Sequence, residues 1–370
     1  MTKKILFVVN IDWFFISHRL PLAIEALRKG YDVSVACGTT DKKNRLESFG
    51  INVYPLNISR GSTGVQKEIR AFIEIYNVLK IMKPDVTHFI TIKPVLYGGI
   101  ASRILKINNT VFSISGLGFI FIKQGVKASI VRKFIKGLYR LALGGKNSHV
   151  IVQNPDDRDV VLSIRKVPIT LIRGSGVDLN QYKYTQENNE DIRVVMACRF
   201  LKDKGVFEYI EAAKIIKDKG IDVTFELYGD IDSANPASLI NADLEQIKRD
   251  TYVEVHDFSS DIASIFEKAN IVVLPSYREG LPKVLIEAAA CGRAVVTTDV
   301  PGCRDAIEAN ITGLLCKVKD SKSLAGQIEK LVLNEELRKS MGKAGRKLAE
   351  KEFDIQKVIQ KHFEIYEESL

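Results

Sequence analysis

Residues 271–291 read IVVLPSYREGLPKVLIEAAAC, and this stretch decides the fold. Its first four residues, Ile271–Leu274, are apolar and predict a buried strand, and the spacing of apolar residues in Lys283–Cys291 predicts a helix. A glycine turn and a proline separate the two, and proline is favoured at the first position of a helix. Strand, tight turn and helix in this order are typical of α/β proteins with parallel sheets.

The same alternation recurs along the chain, whose 370 residues are enough for two domains. Further strands are predicted at Lys4–Val9, Val33–Ala36, Val150–Gln153, Val194–Ala197, Val223–Tyr228 and Ala294–Thr297. Helices are predicted at Leu20–Arg28, Ile69–Met82 and Val206–Lys219. We therefore expect two doubly wound parallel sheets facing a cleft, with functional residues in the loops that follow strands. A polar stretch without periodicity, Lys183–Asp191, is predicted to be the interdomain linker.

Charge is divided unevenly between the two halves of the chain. Residues 1–176 hold 27 Lys and Arg against 11 Asp and Glu, whereas residues 177–370 hold 27 against 34. The basic half indicates an anionic partner, either a lipid surface or nucleic acid, although a solvated basic face is also compatible with the counts. The five cysteines show no C-x-x-C spacing, which argues against a disulfide framework and a zinc site, and we expect a reducing, cytoplasmic environment.

The turn at Gly280, Leu281 and Pro282 is predicted to bind an anion, because a helix N-terminus offers backbone N–H groups and the positive end of a dipole. A diphosphate fits such a site. Glu279 lies in the turn and Glu287 eight residues further on, so the two carboxylates can hold hydroxyl groups at opposite ends of one elongated ligand. The alternative is that Glu279 caps the helix and Glu287 is a surface residue.

A second candidate loop follows the strand Val194–Ala197 and contains Arg199 and Lys204. Two cations in this loop can neutralise the charge of a diphosphate bound beside them. Taken alone, an arginine and a lysine five residues apart are commonplace, and an ordinary solvated loop is the alternative.

These two loops resemble the segments P-S-x-x-E-G-x-P-x-x-x-x-E-A and G-R-L-x-x-x-K-G of family 4 of the retaining glycosyltransferases, with Cys198 in place of the usual glycine. Gly174–Asp178 and Asp299–Asp305 with Gly313 resemble two further segments of that family. The resemblance implies the GT-B architecture. It also implies that Glu279 contacts the donor sugar, that Glu287 holds the ribose, and that no metal or other cofactor is needed.

Three N-terminal segments resemble a narrower branch of that family, namely Ser17–Ala23, Ser115–Gly118 and Val152–Asp157. The branch builds bacterial polysaccharides and N-glycans on undecaprenyl diphosphate. It implies transfer of an N-acetylhexosamine or hexose from a UDP-sugar to a polyprenyl-diphosphate-linked saccharide, by a protein peripheral to the inner face of the cytoplasmic membrane. The alternatives are a sugar-nucleotide epimerase of the same fold and a basic nucleic-acid-binding protein, although no nucleic-acid-binding motif accompanies the charge.

The resemblance divides the chain into an acceptor domain (1–176), a nucleotide-sugar domain (177–352) and a final helix (353–370) that is expected to pack back on the first domain. In the acceptor domain, His18 is a candidate catalytic residue near the acceptor, His88 is a weaker candidate for the same role, and each has a structural role as its alternative. Asp230-Ile231-Asp232 has the D-x-D form of a metal site, which we expect not to be one. The segment Gln124–Lys146 has the composition of a basic amphipathic helix, which predicts either a membrane contact or ordinary core packing.

Overall fold

A computed structural model describes residues 2–58, 64–114, 116–117, 126–188, 191–232, 235–249 and 252–369, without the side chains of 126–128 and 369. The chain forms two compact units. The N-terminal unit comprises Met1–Ser175 and Lys357–Leu370, and the C-terminal unit comprises Gly176–Gln356.

The N-terminal unit contains one parallel sheet of seven strands in the order β3-β2-β1-β4-β5-β6-β7. The strands are β1 (Lys4–Ile11), β2 (Asp32–Gly38), β3 (Asn52–Pro55), β4 (Val86–Ile90), β5 (Asn109–Ile114), β6 (Asn147–Val152) and β7 (Ile169–Leu171). The helices described between them are α1 (Asp12–Arg28), α2 (Lys43–Glu47), α3 (Val65–Met82), α4 (Ile92–Leu105), α5 (Val126–Ala142) and α6 (Pro155–Ile164). The order reverses between β1 and β4, which makes this the switch point where doubly wound sheets bind ligands.

The C-terminal unit contains a second parallel sheet of six strands in the order β10-β9-β8-β11-β12-β13. The strands are β8 (Arg193–Ala197), β9 (Thr224–Tyr228), β10 (Glu254–His256), β11 (Ile271–Leu274), β12 (Ala294–Thr298) and β13 (Gly313–Cys316). The helices are α7 (Val206–Lys217), α8 (Asn241–Arg249), α9 (Ile262–Lys268), α10 (Lys283–Ala290), α11 (Ser321–Val332), α12 (Glu335–Leu348) and α13 (Ile355–Ser369), of which α13 belongs mostly to the N-terminal unit. The switch point lies between β8 and β11. Two doubly wound parallel sheets confirm the predicted fold class.

Two predictions about local structure were wrong. The first helix begins at Asp12 and continues through Pro21, whereas the spacing of apolar residues predicted a start at Leu20. The polar stretch 183–191 is not a linker: Thr185 and Glu187 accept hydrogen bonds from Arg293 and Arg338 inside the C-terminal unit. Polar groups in this stretch are needed there as hydrogen-bond acceptors for the two buried guanidinium groups.

The final helix α13 packs within the N-terminal unit through aromatic and polar side chains. The Tyr366 hydroxyl lies 2.7 Å from Nδ1 of His88, and the rings of Tyr31 and Phe363 are 6.0 Å apart. Among the described helices, none combines the length and apolarity that crossing a bilayer requires.

Candidate functional site

The C-terminal unit places both predicted motifs at its switch point, because one follows β8 and the other follows β11. Helix α10 begins at Lys283, where the predicted helical run begins, and Pro282 is its N-cap residue. Pro282 has no polar side chain that could cap the first-turn N–H groups, and Gly280 and Leu281 precede it in the turn. The uncapped N–H groups and the positive dipole end at the start of α10 are therefore suited to binding an anion.

The structure joins Lys204 to Glu279 by an ion pair between Nζ and Oε1. The two side chains are only 18% and 14% exposed. Burial by itself would lower the pKa of Lys204, but the neighbouring Glu279 carboxylate outweighs it and the pKa is raised. Lys204 is therefore a cation at neutral pH, held beside the turn that precedes α10.

Close backbone contacts hold three loops of this site together. The N–H of Tyr277 donates to the carbonyl of Asp203 at 2.8 Å, and a Cβ at Gly205 would lie 2.3 Å from the carbonyl oxygen of Pro275. In the third loop, Gly302 has φ +81°, and a Cβ there would lie 2.4 Å from the carbonyl oxygen of Glu279. Glycine is required at these positions, and the ion pair of Lys204 is consequently fixed by backbone as well as by charge.

Arg199, the other predicted cation, pairs with Asp232 at 2.6 Å between Nη1 and Oδ2. This pairing places a positive charge at the D-x-D segment, where a divalent cation would compete with the guanidinium. The neighbouring Cys198, which replaces the usual glycine, needs no left-handed backbone because its φ is not positive. Burial raises the pKa of its thiol to about 12, so Cys198 is not a thiolate nucleophile at neutral pH.

Glu287 is buried inside the C-terminal unit, which rules out the surface-residue alternative. Its carboxylate pairs with Lys283 at 3.0 Å, one helical turn earlier. Burial, and then the charge of the Glu287 carboxylate, raise the pKa of Tyr182. Sequence analysis missed Tyr182, since a tyrosine 105 positions away carries no local signal for this contact.

The two candidate histidines lie in the N-terminal unit in different surroundings. His18 is partly exposed on α1, where its ring stacks on Phe14 at 4.2 Å between centroids. His88 is fully buried and lies 2.6 Å from the Ser113 hydroxyl and 2.7 Å from the Tyr366 hydroxyl. Burial, and then the charges of His362 and Arg19, lower its pKa well below the ordinary value. Substrate cannot reach His88, whereas His18 remains accessible.

One motif of the narrower branch has a structural explanation. Asn154 caps α6 by accepting from the N–H of Asp157, and the Asp157 carboxylate accepts from the N–H groups of Gly116 and Leu117 at 2.7 and 2.9 Å. Asp157 therefore holds the backbone of Gly116 and Leu117 in place after β5. Ser115 and Gly118 of the predicted motif lie outside the described residues.

The structure also gathers Glu226, Glu254 and His256 on neighbouring strands, with one potential metal-ligand atom from each within 4.8 Å of the others. Arg193 already pairs with Glu226 at 3.1 Å. These residues lie beside one another only through the parallel register of β9 and β10, which the sequence does not display. Their grouping is consistent with a charged ladder on the sheet.

Family models of glycosyl transferases match both halves of the chain. A family model described as "Glycosyl transferases group 1" matches residues 180–348, and one described as "Glycosyl transferase 4-like" matches residues 4–154. A Campylobacter jejuni protein named N,N'-diacetylbacillosaminyl-diphospho-undecaprenol alpha-1,3-N-acetylgalactosaminyltransferase is 30% identical over 94% of both chains. The UDP-Gal:alpha-D-GlcNAc-diphosphoundecaprenol alpha-1,3-galactosyltransferase of Escherichia coli is 23% identical over 81% of this chain and 79% of its own.

Among solved structures, sucrose-phosphate synthase from Thermosynechococcus elongatus shares the fold, with a TM-score of 0.80 and 18% identity over 99% of this chain and 98% of that one. The matched models and relatives are transferases, and this decides against the epimerase alternative.

Proposed function

Since this chain belongs to the group 1 glycosyl transferases, we propose that it moves an N-acetylhexosamine or hexose from a UDP-sugar to a polyprenyl-diphosphate-linked saccharide, with retention of the anomeric configuration. The acceptor class is supported by two relatives whose names specify undecaprenyl-diphosphate-linked sugars. The name of one of them also specifies a UDP-linked donor.

The observation that carries the donor site is the paired Lys204 and Glu279 beside the start of α10. In the proposed reaction, the diphosphate of the donor lies against Arg199, Lys204 and the first-turn N–H groups of α10. Glu279 takes a hydroxyl of the donor sugar, and Glu287 takes the ribose hydroxyls. Positive charge beside the diphosphate stabilises the transition state, because negative charge grows on the leaving group.

Bond changes in this reaction balance without a metal. The bond between the anomeric carbon and the diphosphate oxygen breaks, and a bond to the acceptor oxygen forms on the same face of the sugar. The acceptor's proton passes to the departing diphosphate. Arg199 and Lys204 are proposed to hold the negative charge of that group throughout.

We further propose that helix α5 docks on the anionic inner face of the cytoplasmic membrane. Ile130, Phe134 and Leu141 lie on one side of this helix and are 64%, 66% and 51% exposed. Lys133 and Arg140 are exposed beside them, while Tyr139 and Ala142 are buried on the opposite side. An exposed apolar stripe flanked by cations favours an anionic lipid surface over nucleic acid. Gln124 and the side chain of Lys127, in the predicted segment, lie outside the described residues.

A donor screen tests this proposal. The protein would be incubated with UDP-linked hexoses and N-acetylhexosamines and a short polyprenyl diphosphate carrying one sugar, and the product anomer assigned by NMR. We expect transfer from a UDP-sugar with the donor's configuration retained. An inverted product would contradict the mechanism, and donor hydrolysis with no transfer to any lipid-linked saccharide would contradict the acceptor class.

A further inference from the structure

The N-terminal unit has its own switch point, between β1 and β4, and α1 begins there directly after β1. Ligands of doubly wound sheets bind at this position. The residues that follow β1 at this switch point are Asp12, Trp13 and Phe14. These residues decide which kind of ligand the switch point accepts.

An anion is disfavoured at the start of α1. The Asp12 carboxylate is fully buried and accepts from the N–H groups of Trp13 and Thr40 and from the Thr40 hydroxyl, at 2.6–2.9 Å. A fixed negative charge therefore occupies the position where a helix N-terminus normally attracts phosphate. A neutral ligand is compatible with this charge, and a diphosphate is not.

The side chains that follow Asp12 on α1 include three aromatic rings, those of Trp13, Phe14 and His18. Trp13 and Phe14 are partly exposed, with ring centroids 6.3 Å apart, and the His18 ring stacks on Phe14 with an interplanar angle of 8°. The face of an aromatic ring carries partial negative charge, which attracts the C–H groups on the flat side of a pyranose ring. The Trp13 plane is turned 66° from the Phe14 plane and His18 covers one face of Phe14, so the partly exposed Trp13 is the ring best placed to stack on a saccharide.

A backbone acceptor lies on the same side of α1. Ser17 and Pro21 are exposed one and two turns after Trp13. Because Pro21 has no N–H, the helical hydrogen bond to the carbonyl of Ser17 cannot form. That carbonyl can accept hydrogen bonds from sugar hydroxyls beside the rings, and the Ser17 hydroxyl can donate or accept them. Nδ1 of His18 already lies 3.2 Å from the carbonyl oxygen of Phe14.

We propose that Trp13, Phe14, Ser17 and His18 form a platform that binds the sugar of the acceptor rather than its diphosphate. The proposal rests on the proposed function for the identity of the acceptor. It assigns to α1 the recognition of a neutral pyranose, through ring faces and the Ser17 carbonyl.

Trp13 is the single tryptophan of the chain, so its fluorescence reports on the platform directly. The probes are farnesyl diphosphate linked to an N-acetylhexosamine and farnesyl diphosphate alone. We expect a saturable change in Trp13 fluorescence with the sugar-bearing probe and none with the bare diphosphate. No change with the first probe, or equal changes with both, would overturn the platform whether or not the protein proves to be a transferase.

Kinetics of variants give a second, independent readout. Trp13→Leu is expected to raise the acceptor KM about tenfold, the loss of a good aromatic contact, with the donor KM unchanged. Trp13→Phe keeps a ring and should stay within about threefold of the native KM. Pro21→Ala restores the hydrogen bond to the Ser17 carbonyl, so we expect a higher melting temperature together with a higher acceptor KM.

Different results would overturn the sugar-binding platform and the proposed transferase function. Native transfer to the glycosylated probe with an unchanged acceptor KM in Trp13→Leu would overturn the platform and leave the proposed function standing. Absence of transfer from every UDP-sugar would overturn the proposed function, and the fluorescence titration would still decide the platform.

Discussion

Removing the amine of Lys204 is expected to disable transfer while the fold persists. A transition-state electrostatic contact of this kind contributes about 2.7–4 kcal/mol, so Lys204→Ala should lower kcat by about 10²–10³. In the ligand-free protein the same change leaves the Glu279 carboxylate, only 14% exposed, without its cation. Leaving such a group unpaired costs about 1–3 kcal/mol of stability.

Glu279→Gln removes the other partner of this ion pair. Unlike Lys204→Ala, it should not raise the Kd for UDP. In the resting protein the Glu279 carboxylate competes with a diphosphate for Lys204, so neutralising it should leave the Kd for UDP unchanged or lower it. Lys204→Ala should raise that Kd about tenfold or more, which corresponds to ~1.4 kcal/mol. Both variants should lose about a hundredfold in kcat, Glu279→Gln because the donor sugar loses a charged hydrogen bond.

Isothermal titration with UDP and initial rates of transfer would measure these effects, with Lys202→Ala as a matched control. Lys202 is exposed and lies two residues before Lys204 in the same loop, so it should behave like the native protein. Near-normal turnover in both site variants would refute the donor-site assignment. Equal weakening of UDP binding in both would refute the argument that Glu279 competes with the diphosphate.

Four other expectations can be checked separately. Activity should survive complete chelation by EDTA, and loss that magnesium or manganese restores would point to a metal near Asp232. Neutralising three α5 cations (Lys133, Lys136 and Arg140) should weaken binding to anionic vesicles about a hundredfold in co-sedimentation, at about 1 kcal/mol each. Burial lowers the pKa of His362 from 6.5 to about 3. His362 therefore costs about 1.4 kcal/mol of stability per pH unit between pH 6.5 and pH 3, and His362→Gln should lower the slope of stability against pH by that amount in urea unfolding followed by Trp13 fluorescence. The contribution of His88, whose pKa is also lowered by burial, should remain. Gly302→Ala should disrupt the Glu279 loop and transfer, whereas Gly326→Ala, in open space on α11, should be neutral or stabilising.

Much of the fold was predictable because buried parallel strands are short apolar runs. Ile271–Leu274 was predicted to the residue, and the sequence also predicts that the two motifs lie at strand ends. Their convergence followed from topology, since loops after β8 and β11 must be neighbours if those strands pair. The start of α1 was not predictable, because Pro21 lies inside the helix against its usual preference.

Contacts between distant residues could not be predicted, and they determine the chemistry of the site. Asp232 lies 33 positions from Arg199, and Lys204 lies 75 positions from Glu279. Nothing local in the sequence indicates that each cation has a carboxylate partner in the resting protein. The polar stretch around Glu187 was misinterpreted for the same reason, because its partner Arg338 lies 151 positions away.

Charged side chains in this protein act both at long range, through net charge, and at short range, through individual ion pairs. Only the net charge can be inferred from composition. Residues 177–370 carry more acidic than basic side chains, which at long range would repel an anionic donor. Exposed charges more than about 8–10 Å apart are largely screened at physiological salt, so the few groups at the switch point decide what binds there. In our proposal Arg199 and Lys204 are those groups, and their carboxylate partners hold them in position until a diphosphate replaces the pairing. The basic excess of residues 1–176 has no such local target in our proposal, because Asp12 excludes anions from the switch point of that unit. Its proposed partner is instead an extended anionic surface, the membrane that holds the lipid-linked acceptor.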